Sequence, residues 1–152
     1  MISQLNIVLA GVGGQGTLVA GKLMGTLANQ LGLDVKVSEV HGMSQRGGSV
    51  ITYVRMGQEV FSPIVEPGTA DVILAFEELE ALRWAHLLRS GGTLLINTTR
   101  TLPLPVAMGQ AAYPEQIVEE LQAKAGSQAT VRAFDAAGLA KQAGSGRAVN
   151  LV

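Results

Sequence analysis

A short apolar run, Leu5-Asn6-Ile7-Val8-Leu9-Ala10, stops at Gly11-Val12-Gly13-Gly14-Gln15-Gly16, and a helical period begins at once. This order limits the chain more than any other feature does. A strand that feeds a glycine turn and then a helix is the opening unit of a parallel α/β sheet. Small residues in the turn let the backbone come close to a phosphate, and the amides that open the helix favour an anion. The other reading is structural, with the glycines serving only a tight turn and close packing of helix on strand.

The rest of the chain keeps the alternation. Gly16 to Leu31 repeats apolar residues at Leu18, Val19, Leu23, Leu27 and Leu31, which predicts one buried helix face. Strands are expected at Asp34 to Ser38, Ser49 to Met56 and Glu59 to Phe61, the last two forming an antiparallel hairpin through Met56-Gly57-Gln58. Ala70 to Phe76 reads as a strand, Glu77 to Arg89 as a helix stopped by Gly91 and Gly92, and Thr93 to Ile96 as another strand. Two prolines make Thr101 to Gln110 a loop with at most a short edge strand. A helix with Pro114 in its first position runs to Lys124, Thr130 to Phe134 is the last strand, and Asp135 caps a helix reaching Gln142. There are no internal repeats. The expected fold is one domain, residues 1–152, of three-layer α/β type: a mostly parallel, doubly wound, Rossmann-like sheet with one antiparallel hairpin.

Composition narrows the function classes. Charged residues are 15% of the chain and the net charge is −1, without a long run of either sign. A nucleic-acid groove or a polybasic membrane patch is therefore not expected. Apolar runs are too short to span a bilayer, and no signal-peptide pattern opens the chain, so a cytoplasmic location is expected. With 47% hydrophobic residues, part of the surface is expected to be covered by another molecule. The chain has no cysteine, hence no thiol nucleophile and no thiolates for a zinc ion or an iron–sulfur cluster.

A second polar loop, Glu39-Val40-His41-Gly42-Met43-Ser44-Gln45-Arg46-Gly47-Gly48-Ser49, follows the second strand. Arg46 offers a planar fork for a carboxylate or phosphate, and His41 can donate or accept a hydrogen bond. If the first two strands are neighbours in the sheet, this loop and the glycine turn share one surface. The candidate cofactor-binding residues are thus Gly11, Gly13, Gly14, Gln15, Gly16, His41, Gln45 and Arg46. No catalytic residue and no metal ligand is assigned.

Several other features lead nowhere. Gly16-Thr17-Leu18-Val19-Ala20-Gly21-Lys22 mimics a P-loop, but Leu23 stands where a metal-binding hydroxyl is required. Glu39 lies where a ribose-binding acid would sit, yet it leads into a glycine-rich loop rather than closing a strand–helix unit. Glu77, Glu78 and Glu80 read as solvated first-turn carboxylates favoured by the helix dipole. His86, beside Trp84 and Leu87, reads as packed or exposed rather than catalytic.

Together, the glycine turn and Ser38-Glu39-Val40-His41-Gly42-Met43-Ser44-Gln45-Arg46-Gly47-Gly48-Ser49 resemble the gamma-type domain of the 2-oxoacid:ferredoxin oxidoreductases. Ala70-Asp71-Val72-Ile73-Leu74-Ala75-Phe76-Glu77 resembles the next strand of that family. Leu102-Pro103-Leu104-Pro105-Val106 and Ala112-Tyr113-Pro114 look most like the beta (small) subunits of its indolepyruvate branch. The resemblance implies oxidative decarboxylation of a 2-oxoacid to an acyl-CoA, with coenzyme A and ferredoxin. It also implies a large partner subunit that carries thiamine diphosphate with its magnesium and the iron–sulfur clusters. On that basis the chain is a non-autonomous subunit, and the family's further helices past Asn150-Leu151-Val152 imply a shortened form. A stand-alone Rossmann-like module for a nucleotide or phosphate ligand is the alternative, and an autonomous NAD(P)-dependent reductase a third.

Overall fold

A computed structural model describes residues 4–42 and 47–152. Six strands form one sheet: β1 (Gln4–Val12), β2 (Asp34–His41), β3 (Ser49–Gly57), β4 (Ala70–Ala75), β5 (Leu88–Asn97) and β6 (Thr130–Phe134). Their spatial order is β2-β3-β1-β4-β5-β6. The helices are α1 (Thr17–Gln30), α2 (Glu78–Trp84), α3 (Leu104–Ala107), α4 (Ile117–Ala125) and α5 (Ala136–Gln142), with 3-10 turns at Ala85–Leu87 and Val149–Leu151.

The α/β class holds, but the antiparallel element differs from the expected hairpin. Strands β1, β4, β5 and β6 are parallel, whereas β3 runs antiparallel to both β1 and β2. Residues 59–61 form no strand. Instead the Val60 N–H donates to Asp34 Oδ2 at 2.8 Å, and Val60 is buried. The Lys36 ammonium, then this Val60 amide, holds the Asp34 carboxyl below its ordinary value. Val50 to Val54 are all buried on β3, so this strand needs cover on both faces and a partner on both edges. It therefore lies between β1 and β2, and the first two parallel strands are not neighbours.

Alternation along the strands sends Val8, Ile73 and Ile96 to one face, against Ala81 of α2 and Ile117 and Leu121 of α4. Leu9 and Val54 face the other way, against Ala20 of α1. Helix α1 docks on a face other than the one its leucines suggest. Thr17, Ala20, Gly21, Gly25 and Ala28 are buried. Leu27 is 50% exposed and Leu31 77%, with Val19 and Leu23 also outside. Close approach decides this: a Cβ on Gly21 would stand 2.8 Å from Thr52 Cγ2. A ridge of small residues brings the helix axis near the sheet, where a leucine face could not fit.

This orientation has a measurable consequence. Leu27→Glu is expected to change the unfolding free energy by less than about 0.5 kcal/mol, whereas Gly21→Val should cost about 1–3 kcal/mol through overpacking. Urea titrations of the two variants check it, and the opposite ranking would place the leucine stripe in the core.

Three boundaries also move. Helix α2 ends at Trp84, and β5 opens at Leu88, so Gly91 and Gly92 lie within a strand and stop no helix. They sit at a register irregularity between β4 and β5. The proline-containing segment holds the short helix α3 rather than an edge strand, and α4 begins at Ile117, three residues after Pro114. Asp135 does cap α5, its Oδ1 accepting from the Gly138 N–H at 2.8 Å.

Candidate functional site

The carboxyl ends of β1 and β2 lie on one edge of the sheet, with the amino end of β3 between them. There the glycine turn is shaped by its own glutamine. Gln15 Oε1 accepts from the Val12 N–H at 2.7 Å, and Gln15 Nε2 donates to the Phe76 carbonyl at 3.4 Å, tying the ends of β1 and β4 together. Gly14 and Gly16 take φ values of 101° and 84°, a left-handed backbone that favours glycine. Helix α1 then begins with no side-chain cap and no acidic residue in its first turn. Its first amides are left for another acceptor.

The second loop reaches this turn through the backbone, as the Gly13 N–H donates to the Gly48 carbonyl at 2.9 Å. A cleft of about 400 Å³ results, and Gly13, Gly14, Gly16, Glu39 and His41 line it. The expected meeting of the two loops is therefore present for these residues, although β3 and not direct pairing of β1 with β2 brings it about. Gly11 is buried within β1, and the Gln15 side chain is occupied by backbone groups, so these two shape the turn rather than line the cleft. His41 is exposed, with Nδ1 3.1 Å from the Gly42 carbonyl. Glu39 accepts from Thr52 Oγ1 at 3.3 Å. Gln45 and Arg46 lie outside the described residues.

The acids that follow β4 are not solvated. Glu77, Glu78 and Glu80 are buried, at 1%, 5% and 2% exposure. Glu77 accepts from the Glu80 N–H at 3.0 Å, the Thr101 N–H at 3.0 Å and the Tyr113 hydroxyl at 2.5 Å. Burial, then the hydrogen bond to Glu77, pushes the Tyr113 phenol far above its ordinary value. Glu78 pairs with Arg100 at 2.7 Å, and that guanidinium lies over the Tyr113 ring. Glu80 pairs with Arg83 at 2.8 Å and accepts from Trp84 Nε1 at 3.2 Å and from Ser49 Oγ. Ser49 opens β3, so the acidic turn anchors the root of the second polar loop. The sequence signal that could have found Glu77 is its place at the N-cap, directly after a buried strand.

His86 keeps Nδ1 3.0 Å from the Arg83 carbonyl, with its ring against Trp84. Among the described residues no group of three histidine or acidic side chains is arranged to hold a metal ion. Every buried side-chain polar atom among them has a partner. What the site offers is a cleft of free amides with one imidazole at its edge, suited to holding an anionic group.

Comparison with known proteins bears on the family and the fold. The family model described as pyruvate ferredoxin/flavodoxin oxidoreductase matches residues 6–152. The indolepyruvate oxidoreductase subunit IorB of Thermococcus kodakarensis is 46% identical, the match covering 99% of this chain and 75% of that protein. The protein of the same name from Archaeoglobus fulgidus is 42% identical, over 98% of this chain and 73% of its own length. Among solved structures, the 2-oxoglutarate:ferredoxin oxidoreductase of Magnetococcus marinus with 2-oxoglutarate, coenzyme A and succinyl-CoA bound superposes with a TM-score of 0.70. It shares 20% identity, over 99% of this chain and 23% of that one. The gamma subunit of keto/oxoacid ferredoxin oxidoreductase from Geobacter sulfurreducens gives 0.64 at 21% identity, over 97% of this chain and 71% of that one. At such identities these two structures show the shared fold.

Proposed function

Because the chain belongs to the pyruvate ferredoxin/flavodoxin oxidoreductase family, we propose that it is the small subunit of an indolepyruvate:ferredoxin oxidoreductase. In the reaction the 2-oxoacid carboxylate leaves as carbon dioxide, and its carbonyl carbon is oxidised by two electrons and joined to the sulfur of coenzyme A. Ferredoxin takes the two electrons. Thiamine diphosphate with magnesium supplies carbanion stabilisation and iron–sulfur clusters supply electron transfer. This chain has no cysteine to hold a cluster, and among its described residues no acidic or histidine group for a metal. Those groups are therefore assigned to a large partner subunit.

The residues present do suit coenzyme A. Its phosphates are anions, and the uncapped start of α1 with the Gly14 and Gly16 amides meets them with donors. His41 lies at the same cleft, and Arg46, five residues further along the sequence, is proposed as a planar fork for the same anion. These groups bind and orient, and no base or nucleophile is assigned among the described residues. We assign the 152 residues to a single gamma-type domain of a cytoplasmic complex. Among the described residues no helix is long and apolar enough to cross a bilayer.

The observation that carries this reading is the joining of the glycine turn and His41 in one cleft. Its test is a complex reconstituted with the large subunit, carrying Arg46→Ala or His41→Ala, with assembly and the Michaelis constant for coenzyme A measured. The expected result is intact assembly with that constant raised about tenfold, the size of a lost charge-assisted hydrogen bond. Lost assembly would make the surface a docking site. Wild-type values for both would remove the site.

A further inference from the structure

A second crevice flanks the glycine turn on the side away from His41, and the function above makes no use of it. Its volume is about 300 Å³, and Gln15, Phe76, Asn97, Thr99, Arg147 and Asn150 are among its lining residues. It lies at the carboxyl ends of β1 and β4, where the connections part. Helix α1 leads from β1 towards β2 on one face of the sheet, and α2 leads from β4 towards β5 on the other. Open α/β sheets bind ligands at such a switch in strand order.

The floor of the crevice is fixed. Asn97 Nδ2 donates to the Phe76 carbonyl at 3.1 Å and to Thr99 Oγ1 at 2.9 Å, while Asn97 Oδ1 accepts from the Ala136 N–H at 3.1 Å. The wall is fixed as well, since Asn150 Nδ2 donates to the Gly16 carbonyl at 3.4 Å and holds the segment that carries Arg147 against the glycine turn.

The groups left over are donors. Because Thr99 Oγ1 accepts from Asn97, its own proton is free to be given away. The Arg147 guanidinium has no hydrogen bond or ion pair among the described residues, so all five of its N–H groups are available. Among the described residues no carboxylate side chain lines this crevice, whereas Glu39 lines the cleft on the other flank. Phe76 and Val149 add apolar surface beside the donors.

We infer that this crevice binds the phosphate group of a small phosphate ester, with Arg147 and Thr99 as its donors and Phe76 against the carbon side. A planar guanidinium matches two phosphate oxygens at once, and a fixed hydroxyl takes the third. Arg147 is exposed, so its removal leaves the fold intact.

The test is a titration of the isotope-labelled full chain with inorganic pyrophosphate, followed by the backbone amide signals of Phe76, Thr99 and Asn150, which line this crevice and not the other cleft. Saturable shifts at these amides are expected. Arg147→Ala should weaken the affinity about tenfold or more and Thr99→Val several-fold, as loss of hydrogen bonds to a charged group implies. Lys124→Ala, which removes an exposed cation that lines neither cleft, should leave it unchanged. Coenzyme A and adenosine 5′-monophosphate are then added as competitors. Displacement by coenzyme A identifies the phosphate as that of the acyl acceptor, and displacement by the nucleotide alone identifies a free nucleotide. The inference fails if the amides do not shift, if Arg147→Ala binds as tightly as the parent, if Lys124→Ala weakens binding as much as Arg147→Ala does, or if neither ester competes.

Discussion

Glu77→Ala is expected to destabilise the isolated chain by about 3–5 kcal/mol, since it strands one buried and two half-buried donors at roughly 1–3 kcal/mol each. The carboxylate caps α2 through the Glu80 N–H and receives the Thr101 N–H and the Tyr113 hydroxyl, all from a position 1% exposed. An alanine satisfies none of the three. Tyr113→Phe removes one donor along with its demand but takes from the Leu79 N–H the hydroxyl it donates to at 3.2 Å, and should cost less, about 1–2 kcal/mol. In the double variant the phenylalanine should recover part of the loss, because one of the abandoned donors is then gone. Urea denaturation followed by Trp84 emission measures all three. A cost below about 1 kcal/mol for Glu77→Ala would mean that this carboxylate is not the keystone of the turn.

The same turn links stability to the site. Glu80 holds Ser49 and Trp84, Ser49 starts β3, and the Gly48 carbonyl just before it receives the Gly13 amide. Loosening α2 should therefore release the spacing between the glycine turn and the second loop before it unfolds the sheet.

Sequence pattern carried the element order well where an element's character is local. The strand at Thr130–Phe134 and the capping by Asp135 are as expected, and β1 differs from its expected span by only one and two residues at its ends. A strand's composition tells that it is buried but not which strands flank it. The place of β3 between β1 and β2 rests on pairings such as Leu9 with Thr52, far apart in the chain. The apolar period of α1 misled for a related reason. Leucines mark a face that avoids water, yet the glycines and alanines mark the face that comes closest to the sheet.

The burial of the acids after β4 is not legible locally because their partners are remote. Arg100 lies 22 residues after Glu78 and Tyr113 lies 36 after Glu77, so first-turn electrostatics alone predicted solvated side chains. The glycine turn was legible, since its strand–turn–helix context is entirely local. The crevice on its far flank was not, because Arg147 and Asn150 reach Gln15 from the other end of the chain.

The central claim is that this chain completes a 2-oxoacid oxidoreductase whose redox groups another subunit holds. The direct measurement is indolepyruvate-dependent reduction of ferredoxin or methyl viologen, in the presence of coenzyme A, by the purified chain, by the large subunit and by the two combined. Without thiolates the chain has no cluster to pass electrons through. The account predicts background rates for the chain alone, co-elution of the two subunits, and turnover that rises with added chain until the subunits are equimolar. Turnover by the iron-free chain alone would contradict it, as would a large subunit that works at its full rate without this chain.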